Sequence, residues 1–159
     1  MWLKVENNGL IMFRGSSVHT IDEKGRVIIP SRFRDLIRAS GTDSVMITRL
    51  DNCLYAYPLD KWRQIEDRIV ALSETSDTVR SFRRFFVGGA FECNCDKQGR
   101  VLIPPTLRTY AGLGREIILV GSLEHFEIWS QERWETADKE MEAALQDEGV
   151  RNDIAKLGL

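Results

Sequence analysis

An aspartate and an arginine four residues apart, with a glycine just before the arginine, occur twice in this chain. The two segments are Asp22-Glu23-Lys24-Gly25-Arg26 and Asp96-Lys97-Gln98-Gly99-Arg100. An aspartate can close a tight turn by accepting backbone N–H groups, and a glycine supplies the positive φ that such a turn requires. The arginine can pair back with its aspartate or project its planar donors toward a phosphate or the acceptor edge of guanine. These readings are compatible: Asp22, Gly25, Asp96 and Gly99 shape the turns, while Arg26 and Arg100 make contact. Lys24 adds a cation to the first turn where the second has Gln98, so the first copy is expected to hold a polyanion more strongly. Two arginine-bearing turns related by a duplication suit a repetitive ligand, and double-stranded DNA is the expected partner.

The repeat extends beyond the turns. Val27-Ile28-Ile29-Pro30 returns as Val101-Leu102-Ile103-Pro104, followed by Arg34 and Arg108. Each copy reads as strand, turn, strand, short helix and hairpin. Pro30 and Pro104 end a strand where the missing N–H does least harm. Ser31 is a candidate helix cap before the stripe Phe33, Leu36 and Ile37, and Gly41 ends that helix. Val45–Thr48 with Cys53–Tyr57, and Ile117–Val120 with Phe126–Trp129, form the hairpins. Trp62, Ile65, Ile69 and Leu72 share one helix face, as do Trp134, Ala137, Met141 and Leu145. Between them 77–86 reads as a helix with Val79, Phe82 and Phe86 on one side. These aromatic stripes are expected to be core. Arg34 and Arg108 are open to either phosphate contact or a surface ion pair.

The division of the chain that follows is an extension at 1–11, a first repeat at 16–61, connecting helices at 62–89, a second repeat at 90–133, and an acidic helix and tail at 134–159. Residues 1–11 have no counterpart in the second copy and receive no function, and Met12-Phe13-Arg14-Gly15 reads as a natural beginning.

Composition narrows the class. The 159 residues are 43% hydrophobic and 29% charged, which is ordinary for a folded domain. No apolar run is long enough to span a bilayer, and the start lacks a secretory pattern, so a soluble intracellular protein is expected. Cys53, Cys93 and Cys95 make an odd count, and Cys93-Asn94-Cys95 lacks zinc-knuckle spacing. No metal or other cofactor is expected. The net charge is −2, but basic residues gather between Met12 and Ser40 and acidic ones after Gln131, a distribution compatible with gripping DNA through one face.

The start Met12-Phe13-Arg14-Gly15, the paired Asp-x-x-x-Arg turns and the paired Gly-Arg-Val-x-Ile-Pro strands resemble the bacterial MraZ proteins. Tyr57-Pro58-Leu59 before Trp62, and Leu119-Val120-Gly121 leading to Phe126-Glu127-Ile128-Trp129, extend the resemblance from Met12 to about Asp147. It implies an α+β fold: an internally duplicated, swapped-hairpin β-barrel pseudo-dimer of two SpoVT-AbrB-type halves with peripheral helices. It also implies a ring-shaped homo-oligomer, bacterial cytoplasm with nucleoid association, and a transcription regulator. Such a regulator binds tandem short repeats upstream of its own operon, the division and cell-wall gene cluster, and represses it. By the same resemblance Arg26 and Arg100 are DNA contacts, with Lys24 beside the first and Arg14 a further transfer.

Three rivals stand beside that reading. An enzyme would need a nucleophile, acid-base or phosphate-loop motif, and the chain has none that is recognisable. An antitoxin-like interaction module would use the acidic tail from Glu140 to Leu159 to fold on a partner. A purely structural ring would leave both turn arginines without a ligand.

Overall fold

In the computed structural model, the protein is described over residues 12–72 and 76–159; the extension at 1–11 lies outside that range. Eight strands and six helices are described: β1 Ser16–Thr20, β2 Arg26–Ile28, α1 Ser31–Arg38, β3 Ser44–Leu50, β4 Cys53–Pro58, α2 Leu59–Leu72, α3 Asp77–Val87, β5 Phe91–Asn94, β6 Arg100–Leu102, α4 Pro105–Ala111, β7 Glu116–Ser122, β8 His125–Ser130, α5 Gln131–Ala144 and α6 Glu148–Ala155. The class is mixed α+β, and every strand pair is antiparallel.

The duplication governs the pairing. One sheet runs β1-β7-β8-β4-β3-β5, and β2 pairs with β6 in a separate ribbon. The first strand of each repeat thus lies against the third strand of the other, Thr20 opposite Glu116 and Asn94 opposite Ser44. Equivalent residues meet where the repeats cross, Val27 opposite Val101 and Tyr55 opposite Glu127.

The expected barrel is not closed. β2 and β6 are only three residues long, and each joins the large sheet through a single bridge, Ile21 to Val27 and Cys95 to Val101. Because β1 and β5 end at the Asp22 and Asp96 turns, no continuous ladder runs around the structure. It is an open six-stranded sheet with a two-stranded ribbon across it.

Burial follows the two-residue period of the ribbon. Val27, Ile29, Val101 and Ile103 are buried with Phe33 and Ile37 of α1, Leu107 and Ala111 of α4, and the inner faces of β7 and β8. Phe13, Phe33 and Phe126 close one end, with ring centroids 5.0–5.2 Å apart. A second cluster joins Tyr57, Trp62 and Phe86, so α2 and α3 pack against β3 and β4.

Several expectations are corrected. Pro30, not Ser31, is the N-cap of α1; no side chain caps that end, and Ser31 is the first helical residue. α5 buries none of its residues, and Met141 is exposed, so the Trp134 stripe is not core. The stripes on α2 and α3 are core only in part, since Leu72 and Phe82 are exposed. The tail from Glu140 onward holds the end of α5 and all of α6, and α6 is capped by Asp147, whose carboxylate accepts the Val150 N–H at 3.0 Å.

Candidate functional site

The two turns are built alike, bond for bond. The Asp22 carboxylate accepts the N–H groups of Lys24 (3.0 Å) and Arg26 (2.8 Å), and its second oxygen takes Nε of Arg26 at 2.7 Å. Asp96 does the same for Gln98 (2.9 Å), Arg100 N–H (2.9 Å) and Arg100 Nε (2.8 Å). The backbone closes each turn, Gly25 N–H to Asp22 O and Gly99 N–H to Asp96 O, both at 2.9 Å. Gly25 and Gly99 have φ of +89° and +77°, conformations that other residues rarely adopt. The backbone N–H of Arg26, then the bonds from its guanidinium and from Lys24, hold the Asp22 carboxyl below the usual aspartate range against a smaller effect of desolvation. Asp96 is held down in the same way by Arg100 and Gln98. The aspartate therefore engages Nε, and the guanidinium is oriented before any ligand arrives.

The turns are also locked to each other. Ile29 N–H donates to Gly99 O and Ile103 N–H to Gly25 O, both at 2.9 Å. Each glycine is covered by an arginine of the opposite repeat. A Cβ added at Gly25 would lie 2.7 Å from Cζ of Arg108, and one at Gly99 would lie 2.7 Å from Cζ of Arg34. Arg108 Nε meanwhile donates to Ile103 O at 3.0 Å, and Arg34 Nε to Ile29 O at 3.1 Å. The ion-pair alternative for Arg34 and Arg108 is not what forms: among the described residues, each is held by the carbonyl just after its own repeat's ribbon strand and laid over the other repeat's turn.

The ribbon brings Arg26 and Arg100 together on one outer face. Arg26 lies opposite Leu102 and Arg100 opposite Ile28, so the two arginines form a diagonal pair with Cα atoms on the order of 8 Å apart. Lys24 is exposed at the tip of the first turn. Arg14 is not part of this group. Its neighbour Phe13 pairs with Leu123 beyond one end of β7, whereas Asp22 follows Thr20, which pairs with Glu116 at the other end; seven strand residues separate these ends by roughly 20 Å. The Arg14 carbonyl accepts Nη2 of Arg32 at 2.6 Å.

Two features escape the sequence reading. Lys97 is exposed at the second tip, where the first turn has Glu23, so the first five-residue turn is neutral and the second carries one net positive charge, and formal charge does not favour the first turn. Ile28 and Leu102 stand 57% and 53% exposed between the arginines. The alternation of Val27-Ile28-Ile29 was the signal for the latter, since burying the outer two residues turns the middle one outward. A groove of about 420 Å³ lies beside the first turn, its lining including Asp22, Glu23, Arg108 and Arg115. Among the described residues, no group of three or more His, Cys, Asp or Glu could hold a metal ion, and no helix is long and apolar enough to cross a membrane.

Comparison with known proteins gives the same duplication. The family described as "MraZ protein, putative antitoxin-like" matches twice, at residues 12–85 and 86–153. A protein of Desulforapulum autotrophicum, named "Transcriptional regulator MraZ", is 58% identical over 148 residues, covering 93% of this chain and all of its own length. Proteins of the same name from Desulfosudis oleivorans and Desulfitobacterium hafniense (strain DCB-2) are 54% and 47% identical over the same coverage. The name is that of a regulator, a non-enzymatic role. With both repeats matched and most residues shared across the whole of a relative, this chain belongs to the MraZ family.

Proposed function

We propose that the chain is a sequence-specific DNA-binding transcription regulator whose grip is the ribbon carrying Arg26 and Arg100. The carrying observation is the pair of matching turns in which Asp22 and Asp96 orient a guanidinium on one outer face. A two-stranded ribbon fits the major groove, where arginine can meet the N7 and O6 acceptors of guanine. Lys24 and Lys97 flank it for phosphate contact. The name of the relatives supports the regulator class.

In this reading the exchanged pairing of β1 and β5 is a swapped-hairpin pseudo-dimer of SpoVT-AbrB type. One ribbon offers few cations, and tight DNA binding needs about six or more phosphate contacts. A ring-shaped homo-oligomer would reach that number by presenting many ribbons to tandem short repeats. Its target is the promoter of its own operon, the division and cell-wall cluster, which it represses, and it works at the nucleoid in the bacterial cytoplasm. Arg14, far from the ribbon, would at most touch flanking phosphate.

The test is fluorescence anisotropy of the full chain on duplex DNA taken from just upstream of its gene. Arg26→Ala and Arg100→Ala should each weaken binding by about 1–3 kcal/mol and relax discrimination between sequences, whereas Lys24→Ala and Lys97→Ala should each lower the salt slope by about one unit, with the melting midpoint near that of wild type in all four. Binding unchanged in both arginine variants refutes the contact role, and a flat salt response favours a protein ligand.

A further inference from the structure

We propose that Ile28 and Leu102 are specificity residues that read the 5-methyl group of thymine in the major groove. The inference rests on the ribbon being the DNA-contacting face. A lone exposed aliphatic side chain is ordinary on a protein surface. Here, however, the same repeat position is large and apolar in both copies, more than half exposed each time, and framed by the two arginines. Val27 and Ile29, like Val101 and Ile103, are buried on the opposite face, so the backbone holds both side chains outward with no room to turn in.

The chemistry of the face selects its occupant. The ribbon and its turns carry Lys24, Arg26, Lys97 and Arg100, with Arg34 and Arg108 laid over the turn glycines, against Asp22, Glu23 and Asp96. Six cations against three carboxylates repel a second copy of the same face and attract a polyanion. Within a polyanionic duplex, the thymine methyl is the one apolar group displayed in the major groove. A diagonal of arginines crossed by a diagonal of aliphatics therefore matches guanines alternating with thymines across a local two-fold axis.

The experiment uses the full chain with two versions of the duplex upstream of its gene, one normal and one with every thymine replaced by uracil. Wild type should bind the uracil duplex about three- to fivefold more weakly for each methyl contacted, the size of one buried carbon. Ile28→Ala and Leu102→Ala should each lose part of that discrimination, and the double variant should bind both duplexes alike; Ile28→Thr, which keeps the β-branched shape, guards against a strand defect. Equal binding of both duplexes by a wild type that still requires Arg26 would overturn the inference and leave the DNA reading intact. Discrimination that survives in the double variant would also overturn it. Binding to neither duplex would remove both.

Discussion

The crossed arginines make the sharpest energetic prediction. Replacing Gly25 by alanine places a Cβ 2.7 Å from Cζ and 2.9 Å from Nε of Arg108, closer than such atoms approach, so the guanidinium must move and release Ile103 O. Positive φ costs a non-glycine residue about 1–2 kcal/mol. Losing a guanidinium hydrogen bond that is half open to solvent costs about 1–2 kcal/mol more. Gly25→Ala should therefore destabilise the protein by about 2–4 kcal/mol, roughly 5–12 °C in midpoint for a chain of this size. Arg108→Ala alone removes the bond and should cost about 1–2 kcal/mol. In the double variant the clash has gone, and only the backbone strain adds to the lost bond. The two changes should then fall short of additivity by about 1–2 kcal/mol. Gly99→Ala with Arg34→Ala should repeat the pattern in the other turn. The assay is thermal unfolding at one fixed protein concentration, since an oligomer's midpoint depends on it. Additive losses, or coupling of Gly25 to Arg34 instead of Arg108, would refute the crossed arrangement.

Two further outcomes follow from single contacts. The Asp22 and Asp96 carboxyls titrate below the ordinary aspartate value, so their bonds are complete above about pH 4 and are lost as the pH falls through the lower folded values. Amide exchange at Arg26 and Arg100 should stay protected down to pH 4 and rise only in stronger acid; opening between pH 5 and 7 would assign the turn to another group. Thr48 is fully buried, and its Oγ1 donates to the Phe86 carbonyl at 2.5 Å, tying β3 to the end of α3. Thr48→Val keeps the shape but strands that carbonyl, and should cost about 1–3 kcal/mol in thermal unfolding; a change below about 0.5 kcal/mol would mean another donor takes over.

How much of this was legible in the residues depends on the range of the interaction. The turns are local devices: Asp22, Gly25 and Arg26 lie within five positions, and the bonds of the Asp22 carboxylate stay inside that span, so the motif predicts them in both copies. The strands around them followed from alternation bounded by glycine and proline. Partner choice did not, because nothing local in Ser16–Thr20 says that it lies against Glu116–Val120 and not its own third strand. The same holds for Arg34, whose glycine neighbour is 65 positions away. The aromatic stripes misled at α5, where Trp134 meets the edge of Trp129 at 5.6 Å without being buried, because periodicity reports an apolar face and not what covers it. Gly149 and the many charges around it hide α6 from a reading by periodicity, although Asp147 caps it. Setting Lys24 against Gln98 alone leaves out Lys97, which stands one position earlier in the second turn.

The central claim is that twin turns put two guanidinium groups on a DNA duplex, and a hydroxyl-radical footprint on the DNA upstream of this gene tests it most directly. The wild-type chain should protect evenly spaced short blocks, and Arg26→Ala with Arg100→Ala together should erase them while the protein keeps its fold and assembly. Blocks that persist in the folded double variant would contradict the claim.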